Sequence, residues 1–108
     1  TENGIVLNAI AYIREHYMEA IGLQDVAQCC NVSPEYLSRI FKEETGVKFV
    51  DFLANFRISV GKRMLATGNY KVSEVAEAVG FNDQKYFQKV FKKICGISPA
   101  EYKKENSR

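Results

Sequence analysis

Gln84, Lys85, Gln88, Lys89, Lys92 and Lys93 fall in adjacent pairs spaced four apart. At 3.6 residues per turn that spacing puts them on one side of a helix. A glutamine amide matches the adenine edge bidentately, and a lysine donates to guanine or to phosphate oxygen. Over residues 82–96 only Asp83 opposes the four lysines. An earlier stretch carries a more mixed set. Glu35, Ser38, Arg39 and Lys42 are expected to face outward, with Glu43 and Glu44 behind them. Arg39 is the best single candidate for a guanine contact. The competing use of Arg39 is an ion pair with Glu35 or Glu43, one helical turn away on either side. Glu35 can accept from cytosine N4, or repel phosphate and so narrow sequence preference. Glu35, Ser38, Arg39, Gln84, Lys85, Gln88 and Lys89 are thus among the candidates for DNA contact. The expected phosphate contacts are Ser33, Lys42, Asn82, Lys92 and Lys93.

Other chemistry finds little material. His16 is the only histidine, without a Ser or Cys nucleophile close in sequence, and no Gly-rich phosphate loop occurs. Neither an enzyme nor a cofactor is expected. Cys29, Cys30 and Cys95 are odd in number and two are adjacent, which fits reduced thiols in a cytoplasm rather than a disulfide framework. They lack the second Cys pair or His cluster of a zinc site, so no metal is expected. The hydrophobic share of 46% and charged share of 26% are those of a soluble globular protein. No apolar run approaches the ~18–20 residues of a membrane span, and the opening residues lack the pattern of a signal peptide. The chain opens on Thr1 rather than Met, which reads as a piece of a longer protein. Its charge is unevenly spread: residues 1–32 set Arg14 against Glu2, Glu15, Glu19 and Asp25, while the lysines gather late.

The elements that must carry these side chains come as a repeat. LQDVAQCCNVSPEYLSRIFKEETGVKFVDF (residues 23–52) is answered by VSEVAEAVGFNDQKYFQKVFKKICGISPAEY (residues 72–102). Val26-Ala27 answers Val75-Ala76 at an offset of 49; Tyr36, Leu37 and Phe41 answer Tyr86, Phe87 and Phe91 at an offset of 50. A repeat this short is one supersecondary unit used twice. In each copy a short helix carries a small residue, Ala27 or Ala76, where a second helix must cross closely. Four residues on, Asn31 or Gly80 supplies the positive φ of a tight turn. Leu37 or Phe87 then closes the core. Ser33-Pro34-Glu35 is a strong helix start, Asn82-Asp83 can cap the later helix, and Gly46 and Gly96 end the two candidate reader helices. Such a pattern is a helix-turn-helix, and two matched copies are more specific than one.

Around the repeat, Val6, Ile10, Ile13 and Tyr17 predict a first helix over 5–18, broken at Ile21-Gly22. Phe49, Phe52, Leu53, Phe56, Val60, Met64 and Leu65 predict a long central helix over 48–66, about 28 Å in length. Such a connector would reach towards the ~34 Å between successive major-groove faces. Arg57, amid its apolar residues, is expected to be partly buried and paired with an acid such as Glu74 or Glu77. Leu23, Val26, Ala27 and Cys30 form the buried stripe of the second helix, and Val72, Val75, Ala76 and Val79 that of its counterpart. Phe87, Val90, Phe91 and Ile94 are expected on the inner face of the later reader helix. Ser98-Pro99 starts a last helix to about Lys104, and Glu105–Arg108 is expected to fray. The fold expected is all-α, about seven helices, with a first helix-turn-helix subdomain over 5–46, the linker helix over 48–66 and a second subdomain over 70–104.

Through VSPEYLSRIFKEETG, FLANFRISVGKRML and VSEVAEAVGFNDQKYFQKVFKKICGISPAEY the chain resembles the DNA-binding domain of the AraC/XylS transcription regulators. The resemblance covers about residues 5–104. Its most specific parts are the GF pair, the YF pair, the FKK run and the Gly-x-Ser-Pro-x-x-Tyr close. It implies two helix-turn-helix subdomains joined by one long helix, with bases contacted from the starts of both reader helices, by Glu35, Ser38 and Arg39 in the first and by Gln84, Lys85, Gln88 and Lys89 in the second. It also implies a double-stranded DNA partner, transcription regulation by recruiting RNA polymerase, and a sensor or receiver domain in the parent chain. The isolated domain is expected to be a monomer, since both readers lie in one chain. Two positions depart from the family pattern. Gly61 stands where Ala is usual, loosening the linker helix by ~1 kcal/mol. Lys103 stands where Arg is usual, replacing a bidentate fork by a point charge. The alternative is a helical protein-interaction module without DNA readout, docking through its acidic first half.

Overall fold

A computed structural model describes residues 2–107. Seven α-helices and no strand occur among them: α1 (Glu2–His16), α2 (Leu23–Cys29), α3 (Pro34–Thr45), α4 (Phe49–Ala66), α5 (Val72–Ala78), α6 (Gln84–Cys95) and α7 (Pro99–Asn106). The fold is all-α, as expected. The chain divides into two compact units between Leu53 and Ala54, inside α4.

In the first unit α1, α2 and α3 pack on one another. Val6, Ala9 and Ile13 of α1, Val26 and Ala27 of α2, and Leu37, Ile40 and Phe41 of α3 are buried. The start of α4 closes this core: the Phe41 ring meets Phe49 and Phe52 edge-on, at centroid distances of 5.6 and 5.2 Å. In the second unit α6 packs on α5 and α7. Its core holds Ile58, Leu65, Val75, Ala76, Val79, Phe81, Phe87 and Phe91. Aromatic contacts run through it from Phe81 to Phe87 (5.2 Å), Phe87 to Phe91 (5.8 Å) and Phe91 to Tyr102 (5.6 Å).

The two turns are built alike. Asn31 takes φ +59° and Gly80 φ +101°. In the first, Val32 N–H donates to the Ala27 carbonyl (3.0 Å) and Asn31 N–H to the Gln28 carbonyl (3.1 Å). In the second, Phe81 N–H donates to Ala76 (2.9 Å) and Gly80 N–H to Glu77 (3.2 Å). Both are Schellman turns, whose left-handed residue lets the chain fold back onto its own last carbonyls. The small residue at the crossing is thus also the acceptor that closes the turn. The starts of α2 and α5 match too: Asp25 accepts from Gly22 N–H and Glu74 from Lys71 N–H, each at 2.8 Å.

Several sequence expectations need correction. The first helix spans Glu2–His16 rather than 5–18. It stops where Glu19 N–H turns back to the His16 carbonyl and the Glu19 carboxylate holds His16 Nδ1 at 2.7 Å. Ile94 is 42% exposed, not on the inner face; that side of the last turn of α6 falls to half-buried Cys95. The last helix runs through Asn106, whose side-chain amide donates to the Tyr102 carbonyl, so Glu105 and Asn106 are helical. The rest of the expected frayed tail includes Arg108, outside the described residues. In α4 the buried apolar side chains are Phe49, Leu53, Ile58 and Leu65, with Phe52, Phe56, Val60 and Met64 half-buried. One continuous stripe does not describe a helix whose start serves one core and whose end serves another.

Gly61 has a packing reason as well as a propensity cost. A Cβ there would lie 3.3 Å from Val75 Cγ1 and 3.6 Å from the Phe87 ring. Its absence lets α4 approach the α5–α6 pair.

The paired turns give a stability prediction. Gly80→Ala should cost about 1–2 kcal/mol, the penalty of a left-handed L-residue. Asn31→Gly, which keeps the conformation accessible, should be close to neutral. Urea unfolding checks both; an unchanged stability for Gly80→Ala would contradict the turn's role.

Candidate nucleic-acid interface

The two helices that follow the turns carry the expected reading residues. α3 starts at Ser33, whose Oγ accepts from Tyr36 N–H at 3.1 Å, with Pro34 in the first turn. α6 starts at Asp83, whose carboxylate accepts from Lys85 N–H at 2.9 Å, so Asp83 rather than Asn82 is the cap. Gly46 and Gly96 end the two helices in left-handed conformation. Leu37, Ile40 and Phe41 anchor one helix and Phe87 and Phe91 the other, which fixes the faces turned to solvent.

On α6 the outward face gathers Gln84, Lys85, Gln88, Lys89, Lys92 and Lys93, all exposed. Asn82 and Asp83 are exposed just before it. Four lysines here meet one carboxylate, and that carboxylate is committed to a backbone amide. On α3, Ser33, Glu35, Ser38, Arg39 and Lys42 are exposed as well. Here Arg39 is engaged: its Nη1 donates to Glu43 Oε1 at 2.7 Å, its Nη2 lies 3.8 Å from Glu2 Oε2, and its guanidinium stacks 5.1 Å from the Tyr36 ring centroid. Of the two ion-pair partners open to it from sequence, Glu43 is the one used. The Tyr36 hydroxyl donates to Glu2 at 3.1 Å, and this bond, with partial burial, holds the phenol's pKa above its ordinary value.

Two further exposed residues lie beside these sets. Lys48 lies between α3 and α4, and with Ser38, Arg39 and Lys42 it borders a hollow of about 660 Å³. Its place at the expected start of the linker helix hid it; an isolated lysine beside a helix-ending glycine was the available signal. Tyr86 is 57% exposed and leans on Phe81 at 5.9 Å. Sequence alone gave it only as the match of Tyr36 in the repeat.

Arg57 supports the second unit from α4. Its guanidinium lies 5.8 Å from the Phe81 ring centroid, and burial pushes its pKa below the ordinary value. Glu74, one suggested partner, caps α5 through Lys71 N–H. Lys62 lies similarly 5.7 Å from the Tyr102 ring. Burial also raises the Cys30 and Cys95 thiols, and Cys30 Sγ approaches the Ile5 carbonyl at 3.8 Å. His16 stacks on Tyr12 at 4.4 Å, away from both reader helices in sequence.

The model of the "Helix-turn-helix domain" family matches residues 26–105. An uncharacterized HTH-type transcriptional regulator of Bacillus subtilis, YisR, is 36% identical over 104 residues, covering 96% of this chain and 36% of that protein. The arabinose operon regulatory protein of Escherichia coli is 36% identical over 99 residues, covering 91% of this chain and 34% of that protein. The chain therefore spans about a third of the length of these curated relatives. Among solved structures, the C-terminal domain of AraT, a response regulator from Geobacillus stearothermophilus, superposes with a TM-score of 0.93 at 37% identity, covering 96% of this chain and 87% of that one. The DNA-binding domain of AdpA, solved in complex with a target DNA, gives 0.88 at 28% identity, covering 93% and 90%.

The caps that set where the reader helices begin can be tested apart from any ligand. Ser33→Ala and Asp83→Ala should each cost roughly 0.5–2 kcal/mol in thermal unfolding. No loss in either variant would mean that the side chain does not hold its helix start.

Proposed function

Because this chain belongs to the AraC-type helix-turn-helix domain family, we propose that it binds duplex DNA sequence-specifically and thereby regulates transcription. The observation that carries this reading is the outward face of α6. Gln84, Lys85, Gln88, Lys89, Lys92 and Lys93 project from a helix whose opposite side is fixed by Phe87 and Phe91. Such a face can enter a major groove as a rigid body, with its chemistry turned to base edges and phosphates.

In this reading Gln84, Lys85, Gln88 and Lys89 address bases from α6, and Glu35, Ser38 and Arg39 address bases from α3. Ser33, Lys42, Asn82, Lys92 and Lys93 hold phosphate, joined by Lys48. Ser33 can do so while capping, since its oxygen accepts the backbone amide and its hydroxyl proton remains to donate. Each neutralised phosphate releases counterions, so affinity falls with salt. The lysine-rich α6 then supplies most of the sequence-independent attraction. α3, with fewer net charges, contributes narrower discrimination through Arg39 and Glu35. Two readers in one chain allow a monomeric domain to address two groove segments.

The whole protein would carry this module beside a sensor or receiver domain, act in the cytoplasm and work by recruiting RNA polymerase. The relatives are longer than this chain, and one of similar sequence is an uncharacterized response regulatory protein of Staphylococcus epidermidis.

Binding measured across salt on a selected duplex separates the two kinds of contact. Lys92→Ala should weaken all sequences alike and reduce the salt slope by about 1. Lys89→Ala should cost ~1–3 kcal/mol at particular base pairs and relax preference there. If Lys89→Ala weakens every sequence equally, its assignment as a base reader fails.

A further inference from the structure

Arg39 is the only arginine on either reader helix, and one arm of its fork is already hydrogen-bonded. Nη1 faces both Glu43 oxygens, at 2.7 and 3.4 Å. Nη2 has Glu2 at 3.8 Å, and Tyr36 lies against the guanidinium plane while its hydroxyl holds the same Glu2 carboxylate. A carboxylate and the O6/N7 edge of guanine offer the same fork the same kind of acceptors. The Nη1 donors held by Glu43 are withheld from a base edge, so carboxylate and guanine compete for that arm of the fork.

The repeat provides an internal comparison. At the offset of 50 that relates the two reader helices, Arg39 answers Lys89 and Glu43 answers Lys93. The first copy places a carboxylate one turn beyond its reading cation; the second places another cation there. The pair is therefore a feature of one unit, independent of the scaffold they share. The second carboxylate comes from the first turn of α1, thirty-four residues before Tyr36. That contact ties the start of α1 to the reading face of α3.

We propose that Glu43 and Glu2 are positioning residues that clamp Arg39 away from DNA, so that base reading by the first unit requires the clamp to open and is weakened while α1 holds Glu2 in place. The proposal rests on the DNA-binding reading above. The three side chains are roughly half exposed, at 56% for Arg39, 52% for Glu43 and 48% for Glu2. Each pair is thus worth only the modest amount of a surface ion pair. A competitor of that strength tunes readout without blocking it. Displacing the first turn of α1 removes Glu2 from the guanidinium and lowers the cost of engagement.

The test is a set of double-mutant cycles on the duplex selected for this chain. Glu43→Gln, Glu2→Gln and, for comparison, Glu44→Gln are each measured with Arg39 intact and with Arg39→Ala. Glu43→Gln and Glu2→Gln should each tighten binding about two- to five-fold with Arg39 intact, the size of one exposed ion pair, and clearly less in the Arg39→Ala background. Glu44→Gln should act equally in both backgrounds, as simple relief of phosphate repulsion. Equal tightening by all three variants in both backgrounds overturns the clamp, as does no tightening by Glu43→Gln and Glu2→Gln. A readout without DNA accompanies it: the Arg39 guanidinium ¹⁵N resonances should show restricted rotation that Glu43→Gln releases. Freely rotating resonances in the unmodified protein also overturn the clamp. If no duplex binds while those resonances are restricted, the DNA-binding reading fails and the Arg39 contacts stand.

Discussion

The geometry of both units depends on a backbone turn that only a few residues can make. At Asn31 and Gly80 the chain enters positive φ, and one residue later its N–H reaches back to the carbonyl of Ala27 or Ala76. A left-handed L-residue costs roughly 1–2 kcal/mol in general, which Gly avoids and Asn tolerates best. The turn sets the angle at which α3 leaves α2 and α6 leaves α5. It thereby decides which side of each reader helix meets the core. Leu37 and Phe87, both fully buried, lock that angle from inside. Everything outward, lysines and glutamines included, is placed by default once the inward face is committed.

With the scaffold fixed twice, the two copies are free to differ on the outside, and they do. α6 has an unbroken cationic and amide face whose nearest acid is consumed in capping. α3 has one arginine held by acids from its own next turn and from α1. The interior differs as well. The second unit stacks Phe81, Phe87, Phe91 and Tyr102, with Arg57 and Lys62 over the terminal rings. Cation–π contacts of this sort contribute on the order of 0.5–2 kcal/mol each. They also let cations of α4 sit against the second core while keeping their charge. In the proposed function the second unit grips and the first discriminates.

What could be read from the sequence was mostly local. Caps, helix ends and the turn residues depend on a few neighbours, so Ser33, Gly46, Asn31 and Gly80 were legible one by one. The repeat made the pairing of helices legible, because two copies supplied the same inward positions. The misses share a different cause. Ile58 and Ile94 turn on which neighbouring element a helix face meets, and periodicity alone does not give that. α4 serves two cores, so its apolar stripe is broken. The repeat pairs Tyr86 with Tyr36, yet Tyr36 is half covered and Tyr86 is 57% exposed, a difference that the matched spacing does not carry. Helix spacing alone offered Arg39 two partners, of which Glu43 is used. The second carboxylate, Glu2, comes from far along the chain and gave no sequence signal.

The central claim is that two reader helices on one chain recognise duplex sequence with unequal roles. Selection from a random duplex library, using the folded domain, tests it most directly. Enriched sites should carry two separate blocks of preferred bases. Arg39→Ala should relax preference at particular positions of one block, and Lys89→Ala at particular positions of the other. A library that emerges without sequence preference, from a domain shown to be folded, would contradict it.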